Sequence, residues 1–478
     1  MVSKLNLINY LRRLGNHDIS TNTLKSRARR ALWVFLPNWV RVFVFKVFKQ
    51  SQGAPNPLDS LMHFFAVALS MRRSKNFRSL REFQVAGFYL ALGEPNLTKT
   101  LFGFLKDHAS GNLQTISTRD SQSAEELHSK ILPKLTSNQS APLAMGLASM
   151  GLFKSAYISR CDSMVKSALE VSRGSRDTQT VRRAIHKHLD DGDIEGAKSL
   201  VSKIRAETIG LPDGIDETFT ALFRLPASNE APASTTDEMF RRLVNNKSVL
   251  LIGAAPIANG IEPEESHYDC IVRITPTVLL NQEQSQLLRR CDIAYLKVMT
   301  PRTLKKLEAF QTGEKLQMVS VETPKLIVMK KAGQITKIAN TPVRNVSNVR
   351  TIAIGSPTSG TQAIADLLQY QPSSLDLVGF NFYTSQSIYK PEVLEEKQLS
   401  STLLHKRQFD FKWKGNQLDP TTHVLSWASH DLASDFMFIK ALVTNNNRVR
   451  AIGKTAEVLG WSLEQYFNRF SELIQGLD

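Results

Sequence analysis

The residues best suited to chemistry gather in two small-residue loops. One reads Gly355-Ser356-Pro357-Thr358-Ser359-Gly360-Thr361, hydroxyl residues and glycine placed to open a helix. Backbone N–H groups and the positive end of a helix dipole at such a position suit an anion. A plain N-cap accounts for the same residues as well, because Ser and Thr favour that position. The other loop, Gly253-Ala254-Ala255-Pro256, follows the apolar run Ser248–Ile252. A strand passing into a small-residue turn is how open α/β sheets form a ligand crevice at their carboxyl ends. With a single glycine it is not a GxGxxG fingerprint, so a dinucleotide site gains little support. Cys161, Cys270 and Cys291 lack metal-ligand spacing and are too few for a disulfide framework. A reducing compartment is therefore expected.

The elements that position these loops follow from the apolar pattern. Short β-branched runs at 248–252, 269–274, 292–296, 351–354 and 375–380 alternate with helical stretches, notably 361–370, and predict an α/β domain with a parallel sheet. Upstream, residues 225–237 hold two prolines and small polar residues, the composition of a linker. From 57 to about 210 the spacing is helical. Phe83, Ala86, Phe88, Tyr89 and Leu90 recur at three and four residues, and 181–189, the turn Asp190-Asp191-Gly192-Asp193 and 194–204 form a helix pair. This middle predicts a degenerate, solenoid-like helical domain, either binding something or serving as support. The expected organisation is a basic aromatic segment over 1–50, a helical domain over 51–224, the linker over 225–237 and the α/β domain over 238–478.

The 478 residues carry a net charge of +16, and the excess is uneven: the first 50 hold ten Lys/Arg against one acid, Asp18. An ordinary apolar content of 42% excludes a wholly disordered or fibrous chain. Residues 31–48 contain Trp33, Phe35, Trp39, Phe43, Phe45 and Phe48, interrupted by Pro37, Arg41 and Lys46. The interruptions argue against a spanning helix, and the run lies too far from Met1 for a signal peptide. A basic aromatic segment of this kind suits the membrane interface, with a packed core helix as the plainer alternative. Nucleic acid is not an expected partner, because the rest of the chain shows no aromatic–basic interleaving.

The order of the pieces is more specific than any one of them. A strand ending Leu251-Ile252-Gly253-Ala254-Ala255-Pro256 is followed by the acids Glu262 to Glu265 and by Asp269-Cys270-Ile271-Val272-Arg273-Ile274-Thr275, with Cys291-Asp292-Ile293-Ala294-Tyr295 beyond. Pro357-Thr358-Ser359-Gly360 then precedes Leu377-Val378-Gly379-Phe380-Asn381-Phe382-Tyr383, and His430 stands five residues before Asp435. These resemble, in order, the large, small and very small motifs of the sialyltransferases (glycosyltransferase family 29 and its bacterial relatives). The match spans roughly two-fifths of the chain. It departs from the family at Ala254 and Thr275, where Asn is usual, and at Asp435, where Glu is usual. Leu375-Asp376 replaces the small-motif cysteine of secreted animal members. The departures imply a distant bacterial, cytoplasmic branch and leave the donor sugar open.

The resemblance implies a Rossmann-like glycosyltransferase domain that moves sialic acid or Kdo from its CMP ester to a sugar hydroxyl. The expected partners are a nucleotide-sugar donor, a glycan or glycolipid acceptor and a membrane surface met through the N-terminal segment. No cofactor and no metal are expected, since the leaving group is a nucleoside monophosphate and no D-x-D pair follows a strand of this domain. By the same resemblance, Thr358, Ser359 and Gly360 hold the phosphate, Gly253, Ala254 and Ala255 let backbone approach the nucleotide, and Asn381 and Tyr383 contact cytosine or ribose. His430 is the general base and Asp435 caps or orients its helix. Arg273 and Thr275 lie on the donor side, and His423 is a second phosphate-side donor. An arginine ending a strand is as often a structural ion pair, and that reading of Arg273 stays open. A retaining relative would need a carboxylate nucleophile instead, for which Glu262, Glu264, Glu265 and Asp431 are candidates.

Overall fold

Strands covered on both faces need apolar side chains at every position rather than at alternate ones, and the core rests on several such runs. The computed structural model describes residues 104, 107–108, 113–148, 150–207, 234–255, 263–274, 290–296, 316–322, 337–338, 341–346, 357–385, 413–414, 417–418, 427 and 430–475. The chain divides into two compact units, Met1–Asp107 and His108–Asp478, and every element named here belongs to the second. The basic segment 1–50, the helical stretch before residue 104, the expected strand 351–354, Thr275 and His423 lie outside the described residues.

The sheet contains β1 (Ser248–Ile252), β2 (Cys270–Ile274), β3 (Ile293–Leu296), β4 (Met318–Glu322), β5 (Lys337–Ile338), β6 (Thr341–Val346), β7 (Ser374–Val378) and β10 (Val449–Ala451). Its order is β10-β7-β1-β2-β3-β4-β6-β5. Seven strands pair in parallel, and β5 joins β6 antiparallel at one edge. β8 (Trp413–Lys414) and β9 (Gln417–Leu418) form a separate hairpin. The α/β class expected from the sequence is the class observed. The chain steps outward from β1 to β6, then returns to lay β7 on the opposite side of β1. Strand order thus reverses beside β1, where open α/β sheets leave a crevice at their carboxyl ends.

The buried charges inside this apolar sheet are paired, whereas the hydroxyl of buried Ser320 in β4 has no partner among the described residues. Asp376, in the middle of β7 and buried, lies in register with Leu250 and Arg450. It accepts from Arg450 Nε at 2.8 Å, Arg450 Nη2 at 2.9 Å and Tyr268 Oη at 2.7 Å. At the far side, Arg344 of β6 is held by Asp366 and Asp237, and its guanidinium lies 4.2 Å from the ring centre of Phe240.

The helices before the sheet are α1 (Leu113–Glu126), α2 (Ser137–Ala148), α3 (Phe153–Ser172), α4 (Thr178–Asp190) and α5 (Ile194–Glu207). They do not form the expected solenoid. In a solenoid each repeat touches only its neighbours. Here α4 buries Val181, Ala184, Ile185 and Leu189 and also Arg182, Arg183 and His186, enclosed by α3, α5 and the later helix α8 (Leu432–Asn445). Buried Ser155, Ser159, Ser163 and Ser167 recur every four residues along α3, a narrow face that lets α2 approach closely. The other side of α3 puts Phe153 against Trp427 and against Phe470 of α10 (Leu463–Gln475). Helices and sheet therefore share one core. α6 (Thr235–Val244) opens on a capping box between Ser234 and Asp237, so the end of the expected linker is the start of a helix. α7 (Ser359–Gln369) precedes β7, and α9 (Lys454–Leu459) follows β10.

Candidate functional site

The order reversal brings most of the expected site residues to one place. Beyond the ladder, Gly253 N donates to Val378 O at 2.8 Å and Ala255 N to Gly379 O at 3.0 Å, so the two chains run on together past β1 and β7. A Cβ on Gly253 would lie 2.2 Å from Gly379 O. Only glycine fits, and its space is taken by the neighbouring backbone. Gly379 itself has φ +73°, the left-handed region that glycine enters without strain. Ala254 is partly exposed and Ala255 buried.

α7 arrives at the same edge. Thr358 is its N-cap, with Oγ1 accepting from Thr361 N at 3.4 Å. Ser359 and Gly360 form the first turn and are half-buried. A Cβ on Gly360 would lie 2.7 Å from the ring edge of Phe380, which follows Gly379. The N–H of Thr358 is already engaged, donating to Asp435 Oδ2 at 2.9 Å. The α7 N-terminus thus carries an internal carboxylate, 77 residues further along the chain.

That carboxylate comes from the first turn of α8, whose N-cap is Asp431. Burial pushes the Asp435 carboxyl up to about 7, opposed by hydrogen bonds from Thr358 and Thr361 and reinforced by the charge of Asp431. Its Oδ1 is buried with no hydrogen-bond partner among the described residues. Asp431 accepts from Ser434 N at 3.1 Å and Ser434 Oγ at 2.5 Å. It also pairs at 3.2 Å with Arg160 of α3, a fully enclosed side chain that grips Asp190 of α4 through Nε at 3.1 Å and Nη2 at 3.0 Å. His430, half-buried, sits immediately before this pinned cap.

The turn after β7 closes the edge. Phe380 N donates to Thr455 Oγ1 at 3.0 Å. Asn381 is buried, its Oδ1 accepting from Tyr383 N at 3.1 Å and its Nδ2 donating to Ser385 Oγ at 2.6 Å. Phe382 and Tyr383 have φ of +49° and +66°, consecutive left-handed residues that are not glycine.

The structure therefore gathers Gly253, Ala254, Ala255, Thr358, Ser359, Gly360, Asn381, Tyr383 and Asp435 around the β1–β7 edge, with His430 one turn before Asp435. Arg273 is otherwise engaged: its Nη2 pairs with Glu265 at 2.7 Å and its Nε donates to Arg290 O at 3.2 Å. Of the carboxylates considered as nucleophiles, Asp431 and Glu265 are held by arginines and Glu264 is exposed. Glu262 lies outside the described residues. Arg160, Asp190, Thr455 and the α10 residues that touch the turn went unread in the sequence. Arg160 meets Asp431 across 271 residues, and no local pattern announces such a pair. Among the described residues no group of His, Cys, Asp and Glu could hold a metal ion. Among the same residues no helix is long and apolar enough to cross a membrane. No family model, curated protein or solved structure matches the chain.

Proposed function

We propose that the chain is a glycosyltransferase taking sialic acid or Kdo from a CMP-activated donor. The observation that carries this reading is the meeting of the small-residue loop after β1, the N-terminus of α7 and the Asn381–Ser385 turn where strand order reverses. That is where α/β sheets receive nucleotides. On this reading the donor phosphate faces the first turn of α7, where Ser359 and Gly360 offer backbone N–H groups to the charge that develops as CMP departs. His430 takes the proton of the acceptor hydroxyl while its oxygen attacks the anomeric carbon, and the C–O bond to the phosphate breaks. The basic N-terminal segment keeps the enzyme at the inner membrane face, near a glycan or glycolipid acceptor. The reading also rests on the motif order, whose members are spread over the strand ends and the two helix N-termini.

A second reading is favoured by two contacts. Thr358 N–H and Arg273, both expected to serve the donor, are engaged by Asp435 and Glu265. A scaffold with a degenerate transferase domain would retain such internal pairs. Incubating the full chain with CMP-sialic acid and with CMP-Kdo, and reading CMP release, separates the two. Release lost in His430→Ala, with the melting curve unchanged, supports the enzyme. No release from either donor leaves the scaffold.

A further inference from the structure

We infer that Tyr466 and Arg469 of α10 are positioning residues that hold the Asn381–Ser385 turn in the shape needed for the nucleoside end of the donor. The inference rests on the nucleotide reading of the β1–β7 edge. It starts from strain: two adjacent side-chain-bearing residues at positive φ cost energy that the surroundings must offset, and such outliers cluster at ligand clamps.

The surroundings here are specific. Tyr466 Oη donates to Phe382 O at 2.9 Å, and Arg469 Nε donates to Thr384 O at 3.2 Å. From within the turn, Thr384 N and Thr384 Oγ1 donate to Asn381 O at 2.9 and 2.6 Å. From α9, Thr455 fixes Phe380 N. The Tyr466 ring is itself immobilised, stacked on Phe436 of α8 at 4.3 Å between centres and 2° between planes, and Phe436 meets the Phe382 ring edge-on at 5.7 Å. The turn is thus tied to three later elements, at the carboxyl end of the strand beside the order reversal. A turn with only a structural duty would relax by placing glycine at 382 or 383. Retaining Phe and Tyr there, with tethers on both carbonyls that flank Tyr383, fits a duty for the side chains. Tyr383 is partly exposed, and its aromatic face suits a pyrimidine or ribose.

The test compares CMP with inorganic phosphate, which has no base to meet the turn, by calorimetric titration of the full chain. Tyr466→Phe removes one hydroxyl and keeps the stacked ring, and Arg469→Gln removes the second tether from a partly exposed site. Each is expected to raise the CMP dissociation constant about fivefold, the worth of one hydrogen bond, with phosphate binding unchanged and the melting midpoint lowered by only a few degrees. CMP and phosphate weakening in equal proportion would reveal general loosening and overturn the inference. So would wild-type affinity for CMP in both variants, and that result would leave the nucleotide reading standing. If wild type binds phosphate but none of CMP, UMP, AMP or GMP, the nucleotide reading falls and takes the inference with it.

Discussion

Asp435 supplies the sharpest test of the packing argument. Its carboxyl rises from an ordinary 3.8 to about 7, burial being the main cause. The sign follows from linkage: the unfolded chain releases this proton near pH 4 and the folded chain near pH 7, so folding loses stability as pH rises between those values and stays level above. A shift of about three units at roughly 1.4 kcal/mol each puts the full cost at about 4 kcal/mol. Asp435→Asn keeps an amide oxygen to accept from Thr358 N and removes the ionisation. Its gain over wild type should be about 2 kcal/mol at pH 5 and about 4 kcal/mol at pH 8, an upper limit because buried charges relax. Urea unfolding of both proteins at the two pH values measures the difference, and subtraction cancels every other titrating group. An advantage that fails to grow between pH 5 and pH 8 would refute the account. So would a variant less stable than wild type at pH 8.

Three further outcomes follow from the site's construction. Gly253→Ala must push a methyl against the Gly379 carbonyl and should cost about 3 kcal/mol, whereas Gly360→Ala meets only the edge of a movable Phe380 ring and should cost about 1 kcal/mol; thermal melts rank the pair. Arg160→Met leaves Asp190 and Asp431 buried without their cation and should cost about 3–5 kcal/mol, most of it regained when both acids are changed to Asn. If CMP release is found, chelation with EDTA should leave its rate unchanged, since a nucleoside monophosphate leaving group has no diphosphate for a metal to bridge.

What could be read in the sequence divides along the range of the interaction. β1 and β2 were legible because Val249–Ile252 and Cys270–Val272 are uninterrupted apolar runs, and the helix over 361–370 because Thr358 precedes it as a cap and apolar residues repeat along it. β10 was not, being three residues long with the exposed side chain of Arg450 at its centre. The solenoid reading failed for the same reason in reverse. Helical periodicity reports that a face is buried but not against what, and α4 is buried at every residue from 180 to 186 by elements on both sides in sequence. Gly253 was legible as a place where backbone must pass closely, yet its close neighbour is Gly379 rather than a ligand. Arg160 lay beyond reach, since its carboxylate Asp431 belongs to a helix hundreds of residues later.

The same physics explains why carboxylates stand where anions were expected. A helix beginning inside a core has N–H groups that water does not reach, and each needs an acceptor. α3 starts at Leu152 without a side-chain cap, and Asp120 of α1 fills the gap, taking Lys154 N at 2.6 Å and Ser155 N at 3.0 Å. α7 is served likewise by Asp435 from α8. At α3 the arrangement is complete, for both Asp120 oxygens are bonded. At α7 it is not: one oxygen of Asp435 has no partner among the described residues, and burial pushes its carboxyl up to about 7. A neutral Asp435 leaves the positive end of α7 uncancelled, whereas an ionised one opposes any phosphate arriving there. The proton that governs folding stability in the first prediction therefore also sets how strongly this helix end attracts an anion.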